Sequence, residues 1–172
     1  MEAACRAGRV AAVSGVKNSG KTAVLEKLVA ELTRRGLRVA VVKHDGHGFD
    51  PERPGTDTCR RLAAGAAGTA VIDGEKFQAG KYAAVTAREL IALCPEADLV
   101  LLEGFKDSAW PKVEVVRAGN SQFPVCDPST LLALVTDLPL SLPGVPVLGL
   151  EDTAGLADLM ECFAKGGQTQ RE

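Results

Sequence analysis

The sequence predicts an α/β fold, three layers built on a mostly parallel sheet. Three observations predict it. Short, uninterrupted apolar runs of strand length recur along the chain, as parallel strands covered on both faces require. Between the first two of them lies a segment with apolar residues at helical spacing. The first run also passes straight into a glycine-rich turn and then that helix, a βαβ beginning that implies parallel strands.

The elements follow in order. Arg9 to Ser14 reads as a buried strand, because Val10, Ala11, Ala12 and Val13 run without a polar break. Lys21 to Arg35 reads as a helix, with Leu25, Leu28, Val29 and Leu32 on one face and Gly36 as its left-handed stop. Arg38 to Lys43 is the second strand. A loop dense in turn residues, HDGHGFDPERPGTD, comes next. Thr56 or Asp57 then caps a short helix to about Ala64. Gly68 to Ile72 is a strand candidate, and Asp73 to Tyr82 is a polar excursion compatible with a hairpin. Thr86 to Cys94 is helical and stops at Pro95. Asp98 to Glu103, DLVLLE, is a strong buried strand. Val113 to Arg117, Leu131 to Thr136 and Val145 to Leu148 are further strands, and Thr153 to Phe163 is a closing helix capped by Asp152 or Thr153. A polar tail begins at about Lys165.

With 172 residues and 46% hydrophobic content, the chain is long enough for one compact domain and short for two. No repeat or linker divides it, so residues 1–172 are expected to form a single domain. The net charge of −2 and the 4% aromatic content argue against a nucleic-acid binder, which needs a basic face or stacking platforms. The five cysteines, Cys5, Cys59, Cys94, Cys126 and Cys162, form no C-x-x-C pair. They are expected to be reduced thiols of a cytoplasmic protein. No apolar run reaches the length of a membrane span, and no signal-peptide pattern is present.

The turn after the first strand, GVKNSGKT over residues 15–22, fits the phosphate-binding loop G-x-x-x-x-G-K-[ST] without a mismatch. Glycines there let successive N–H groups point inward, and the helix that follows adds the positive end of its dipole. Gly15, Lys17, Asn18, Ser19, Gly20, Lys21 and Thr22 are therefore the candidate nucleotide ligands. Lys21 supplies a charge to the β- and γ-phosphates, and the Thr22 hydroxyl a ligand to Mg²⁺. A carboxylate near that metal is expected at the end of a neighbouring buried strand. Glu103, followed by Gly104, is the candidate. Asp98 opens the same strand and belongs at the far edge.

His44, Asp45, His47 and Asp50 crowd the turn after the second strand. Two histidines three apart, with a carboxylate or Cys59, form a possible transition-metal set. A polar loop at the mouth of the site fits better, because histidines in a glycine-rich loop have no fixed geometry. Asp45 and Asp50 remain candidates for reaching Mg²⁺ through water. The guanine-reading sequence [NT]-K-x-D is absent. Asp137, at the end of LLALVTD, could accept from guanine N1–H and N2–H₂, a discrimination adenine would fail. It could equally serve as a turn aspartate.

Several segments together resemble one family. VSGVKNSGKT, VVKHDGHGFD, PGTDTCRRLAAGA, LLEGFKD and PKVEVVR are similar, in order, to the molybdopterin-guanine dinucleotide biosynthesis protein MobB family, over roughly residues 9–117. The specific part is Lys43-His44 with His47, Phe49, Asp50, Gly55, Asp57 and Arg60, and Glu103-Gly104-Phe105-Lys106 followed by Pro111 to Val115 and Arg117. Thr58-Cys59 departs from the family, which more often carries a serine followed by an aromatic residue. The resemblance implies a P-loop NTPase-like fold and a GTP- and Mg²⁺-binding homodimer with weak intrinsic GTPase activity. Such a protein would assist the guanylyltransferase that attaches GMP to molybdopterin. The resemblance also implies that Arg60 contacts phosphate or partner. Two other classes stay open at this point: a small-molecule phosphotransferase and a metallochaperone GTPase using His44, His47 and Cys59.

Overall fold

The computed structural model describes residues 10–45, 55–80 and 83–166. They divide into two compact units, one running to His44 and resuming at Ala87, the other spanning Asp45–Thr86. The second is thus inserted into the sequence of the first.

The first unit is built on six strands: β1 (Val10–Ser14), β2 (Val39–Lys43), β5 (Leu99–Glu103), β6 (Lys112–Val116), β7 (Leu131–Thr136) and β8 (Val147–Leu148). Their spatial order is β2-β5-β1-β6-β7-β8, and every pairing is parallel. The strand-length apolar runs are the cause: β1, β5 and β6 are buried at every position, so neither face tolerates solvent. β1 and β2, joined by the first helix, are not neighbours. β5 lies between them, with Ala11 opposite Leu101 and Val41 also opposite Leu101.

Helix α1 (Lys21–Arg34) lays Val24, Leu25, Leu28 and Leu32 on one sheet face, where α4 (Thr153–Ala164) adds Leu156, Ala157 and Met160. Leu28 and Leu32 are fully buried, each worth roughly 1.5–3 kcal/mol relative to exposure. Gly36 ends α1 at φ 88°, and the Leu37 N–H reaches back to the Leu32 carbonyl at 3.1 Å, a left-handed stop that only glycine adopts without strain. Asp152 caps α4 by accepting from the Gly155 N–H at 2.9 Å. The opposite face carries Val10, Ala12, Val100 and Leu102 under Ile91 of α3 (Ala87–Ile91), with Phe105 and Trp110 packed against them. Three layers result, as predicted. α3 is shorter than the predicted Thr86–Cys94: past Ile91 the chain continues as tight turns, Leu93 N–H to the Leu90 carbonyl and Cys94 N–H to the Ile91 carbonyl. β8 likewise keeps only two of its four predicted residues, because Val145 turns back to bridge Leu142.

The second unit contains α2 (Asp57–Ala63) and a hairpin of β3 (Thr69–Ile72) and β4 (Phe77–Gly80). Thr56, rather than Asp57, is the cap of α2, its hydroxyl accepting from the Cys59 N–H. The hairpin turn is closed by Asp73, whose Oδ1 accepts from the Glu75 and Lys76 N–H groups. Ile72 and Phe77 face one another across the ladder and are 81% and 72% exposed.

Among the described residues no helix is long and apolar enough to cross a membrane. Cys59, Cys94, Cys126 and Cys162 are free thiols. His47, Phe49, Asp50 and the tail beyond 166 lie outside the described residues.

Candidate functional site

All six strands run the same way, so one sheet edge collects every strand's carboxyl end. That edge is where ligands bind in open α/β sheets. Ser14, Glu103, Val116 and Thr136 end β1, β5, β6 and β7 there.

The loop from β1 to α1 has the conformation its glycines allow. Gly15 sits at φ 139°, and a Cβ on it would fall 2.4 Å from the Val115 carbonyl oxygen. The loop therefore presses against β6 in a way that only glycine permits. Asn18 is left-handed at φ 61°, and Gly20, at φ 90°, is the N-cap of α1 with no side-chain cap. The first N–H groups of α1 are consequently left to other partners. Ser19 is fully buried, and its hydroxyl is the one buried side-chain polar atom without a hydrogen-bond partner among the described residues. Lys17 and Asn18 are exposed at the loop's tip.

Lys21 curls back over the loop and donates to the Val16 carbonyl at 2.5 Å. Burial pushes its pKa below the ordinary value, and the nearby Glu103 carboxylate pulls it partly back up. Thr22 donates its hydroxyl to Glu103 Oε1 at 2.8 Å, and Lys43 Nζ stands 3.7 Å from the same oxygen. Sequence spacing placed Thr22 and Glu103 on separate elements; the structure brings them into contact. Gly104, at φ 101°, turns the chain away directly behind Glu103, and Phe105 beyond it packs its ring 5.3 Å from that of His44.

These atoms meet the demands of a nucleotide phosphate with Mg²⁺. A Cβ at Gly15 would force the loop off β6 and out of this shape, Lys21 Nζ is hydrogen-bonded only to a backbone carbonyl, and a hydroxyl and a carboxylate stand 2.8 Å apart beside it. Asp98, at the other end of β5, binds Arg38 at 2.9 Å, away from this edge as expected.

Asp137 follows β7 at the same edge, with Thr136 opposite Val116. Its Oδ1 accepts from the Ala118 N–H at 2.7 Å. Asp45 is exposed and opens the second unit. Arg60 lies on α2 in that unit, exposed and paired with Asp57. Asp50 falls outside the described residues, as does His47 of the possible transition-metal set. Among the described residues no group of three His, Cys, Asp or Glu side chains is arranged to hold a metal.

Four residues on or after β6 escaped the reading of individual residues. Asn120 donates its amide to the Lys17 carbonyl at 2.7 Å, tying the turn after β6 to the phosphate loop. Arg117 places a guanidinium nitrogen 3.5 Å from the Cβ position of Gly20. Lys112 and Glu114 are fully buried on β6. Lys112 Nζ donates to the carbonyls of Lys106 (3.1 Å) and Ser108 (2.5 Å), organising the turn that follows Glu103. Glu114 accepts from the N–H groups of Val125 (2.6 Å) and Cys126 (3.1 Å). Burial, and then the Glu114 carboxylate, push the Cys126 thiol up to about 12, which keeps it an unreactive thiol. The signal was present: two charges spaced i, i+2 in the otherwise apolar strand KVEVV must share one buried face.

An all-parallel three-layer sheet with this loop at its carboxyl edge defines a P-loop NTPase-like α/β protein. Comparison with known proteins narrows the class. The family model described as Molybdopterin guanine dinucleotide synthesis protein B, MobB, matches residues 10–137. A molybdopterin-guanine dinucleotide biosynthesis adapter protein of Escherichia coli is 34% identical over 153 residues, 83% of this chain and 85% of that one. Its Haemophilus influenzae counterpart is 31% identical over 159 residues, 87% and 85% of the two chains. The crystal structure of Bacillus subtilis MobB matches with a TM-score of 0.72 at 26% identity, over 90% of this chain and 97% of that one. The chain belongs to the MobB family.

Proposed function

We propose that this protein is a GTP-binding adapter in molybdopterin-guanine dinucleotide biosynthesis, assisting the enzyme that transfers GMP to molybdopterin. The adapter role is the one carried in the names of its Escherichia coli and Haemophilus influenzae relatives. The observation that supports nucleotide binding most directly is the Thr22–Glu103 hydrogen bond beside a loop whose close approach to β6 requires Gly15.

In this reading the loop N–H groups from Gly15 to Thr22 wrap the phosphates. Lys21 leaves the Val16 carbonyl and turns its ammonium to the β- and γ-oxygens. Thr22 and Glu103 would hold Mg²⁺, which neutralises phosphate charge when bound. Lys43, 3.7 Å from Glu103, balances that carboxylate in the free protein. Asp45 and Asp50 are proposed to act at the metal only through water, and Arg60 as a contact to phosphate or partner. Asp137 uses Oδ1 on Ala118, which leaves Oδ2 as the acceptor for guanine N1–H or N2–H₂.

The reading makes the protein cytoplasmic and homodimeric, at most a slow GTPase. The apolar pair Ile72 and Phe77, exposed on the β3–β4 hairpin, supports an association through that element.

Titration calorimetry with GTP and ATP, with and without Mg²⁺, tests this function. GTP should bind more tightly than ATP and gain from Mg²⁺. Glu103→Gln should keep GTP binding and lose most of the Mg²⁺ gain. Equal affinity for both nucleotides would remove the guanine assignment, and equal Mg²⁺ stimulation in variant and parent would remove Glu103 from the metal.

A further inference from the structure

One cation at the phosphate loop has no part in the function proposed above. Arg117 is the first residue after β6 and is exposed. Among the described residues its guanidinium takes neither a hydrogen bond nor an ion pair. One of its terminal nitrogens nevertheless lies 3.5 Å from the Cβ position of Gly20, beside the N-terminus of α1. Its charge is felt by the Glu151 carboxylate, but that carboxylate is already paired with Lys27 at 2.5 Å.

The turn carrying Arg117 is held by its own hydrogen bonds, by the residue after β7 and by the phosphate loop. The Asn120 side chain binds the Lys17 carbonyl at 2.7 Å, and Asp137 holds the Ala118 N–H at 2.7 Å. The N–H groups of Asn120 and Ser121 both return to the Arg117 carbonyl at 3.1 Å. Just before it, the Val115 carbonyl backs directly onto Gly15. The backbone of Arg117 is thereby set relative to the loop before any ligand arrives, so only the side chain remains to be ordered on binding. A guanidinium without a carboxylate partner, anchored beside a loop with open N–H groups and an unpartnered buried hydroxyl at Ser19, suits a polyanion.

We propose that Arg117 is a second cationic ligand for the phosphate chain, reaching it from β6 while Lys21 reaches it from α1. This rests on the phosphate-loop reading above. Arg117 takes no part in the fold's ion pairs, so its replacement leaves the domain folded.

The test is calorimetry on the full chain and on its Arg117→Ala and Arg117→Lys variants, titrated with GTP and with inorganic triphosphate, at low and high salt with Mg²⁺ present. Thermal melts of the three proteins should coincide. Arg117→Ala should weaken both ligands by roughly tenfold to a hundredfold, as loss of a charge-assisted contact does. It should also flatten the salt dependence, and Arg117→Lys should recover part of the loss. Unchanged affinity for both ligands in folded Arg117→Ala overturns the proposal. Weakened GTP with unchanged triphosphate also overturns it, and assigns Arg117 to the nucleoside. If the parent binds neither ligand, the phosphate-loop reading itself fails and this inference with it.

Discussion

The two edges of the parallel sheet use charge in opposite ways. At the amino edge the charges satisfy one another. Arg38 binds Asp98 through two side-chain nitrogens, at 3.1 and 2.9 Å. Arg35, at the end of α1, reaches Glu31, Asp158 and Glu161 at 2.8, 2.6 and 3.1 Å, clamping α1 to α4. At the carboxyl edge Glu103 has Lys43 at 3.7 Å, but other groups are left over: Lys21 Nζ has a carbonyl, the Arg117 guanidinium makes no hydrogen bond or ion pair among the described residues, and the Ser19 hydroxyl is buried without a partner. Charges that pair internally serve the fold, whereas charges held by backbone geometry but not neutralised are available to a ligand.

Substitutions at the two edges should therefore have effects of different kind. The largest is expected at Gly15. An alanine there puts a Cβ 2.4 Å from the Val115 oxygen at a φ of 139°. Gly15→Ala should cost about 1–3 kcal/mol in strain. It should also lower nucleotide affinity by more than about a hundredfold, since the cradle loses several N–H donors at once. Denaturant melts and calorimetry read the two effects separately; normal affinity would mean that the loop does not form the cradle.

Next is Lys21→Ala. The contrast between edges predicts a loss of roughly tenfold to a hundredfold in affinity with an unchanged melt, because the ammonium contributes a charge-assisted contact to the ligand and only one carbonyl contact to the fold. A variant that unfolds without losing affinity would reverse the contrast.

Arg38→Ala should do the opposite. Arg38 is well exposed, so its pair with Asp98 is worth about 0.2–1 kcal/mol in the melt, and nucleotide affinity should not move. A measurable change in affinity would show that the edges are coupled.

The smallest effect is on pH dependence. Hydrogen bonds from Arg34 and Arg35 hold the Glu31 carboxyl down to about 2, against an ordinary 4.5. Its contribution to stability is present above about pH 4.5 and disappears as pH falls toward 2. Glu31→Gln should flatten the stability profile between those limits and leave nucleotide binding at neutral pH unchanged. An acid limb of the same slope in both proteins would break the assignment of this edge to stability.

Much of the carboxyl edge was legible because its motif is local. Residues 15–22 carry the loop conformation in their own glycines, and DLVLLE ends in its carboxylate wherever it pairs. Gly36 and Asp152 acted as the stop and cap their residue types favour. Less legible were elements whose limits depend on neighbours: α3 stops at Ile91 and β8 begins at Val147, both sooner or later than propensity alone suggests. The sequence leaves Asp137 equally a guanine acceptor or a turn aspartate; what it does not show is that Oδ1 accepts from the Ala118 N–H of a strand connection nineteen residues away.

The sequence by itself determined the element types, the three-layer α/β class and the phosphate-loop motif, since each depends on periodicity or spacing along the chain, and the resemblance of its segments to a family could be seen without the fold. Only the tertiary structure decided that β5 would insert between β1 and β2. That order brings Glu103 within 2.8 Å of Thr22, a residue eighty-one positions away. It also decided that β6 would lie on the other side of β1, setting Arg117 and Asn120 against the phosphate loop. The physical reason is that strand order in a parallel sheet follows from which faces and edges can be covered together. That is a property of the assembled layers, and no single apolar run encodes its own neighbour.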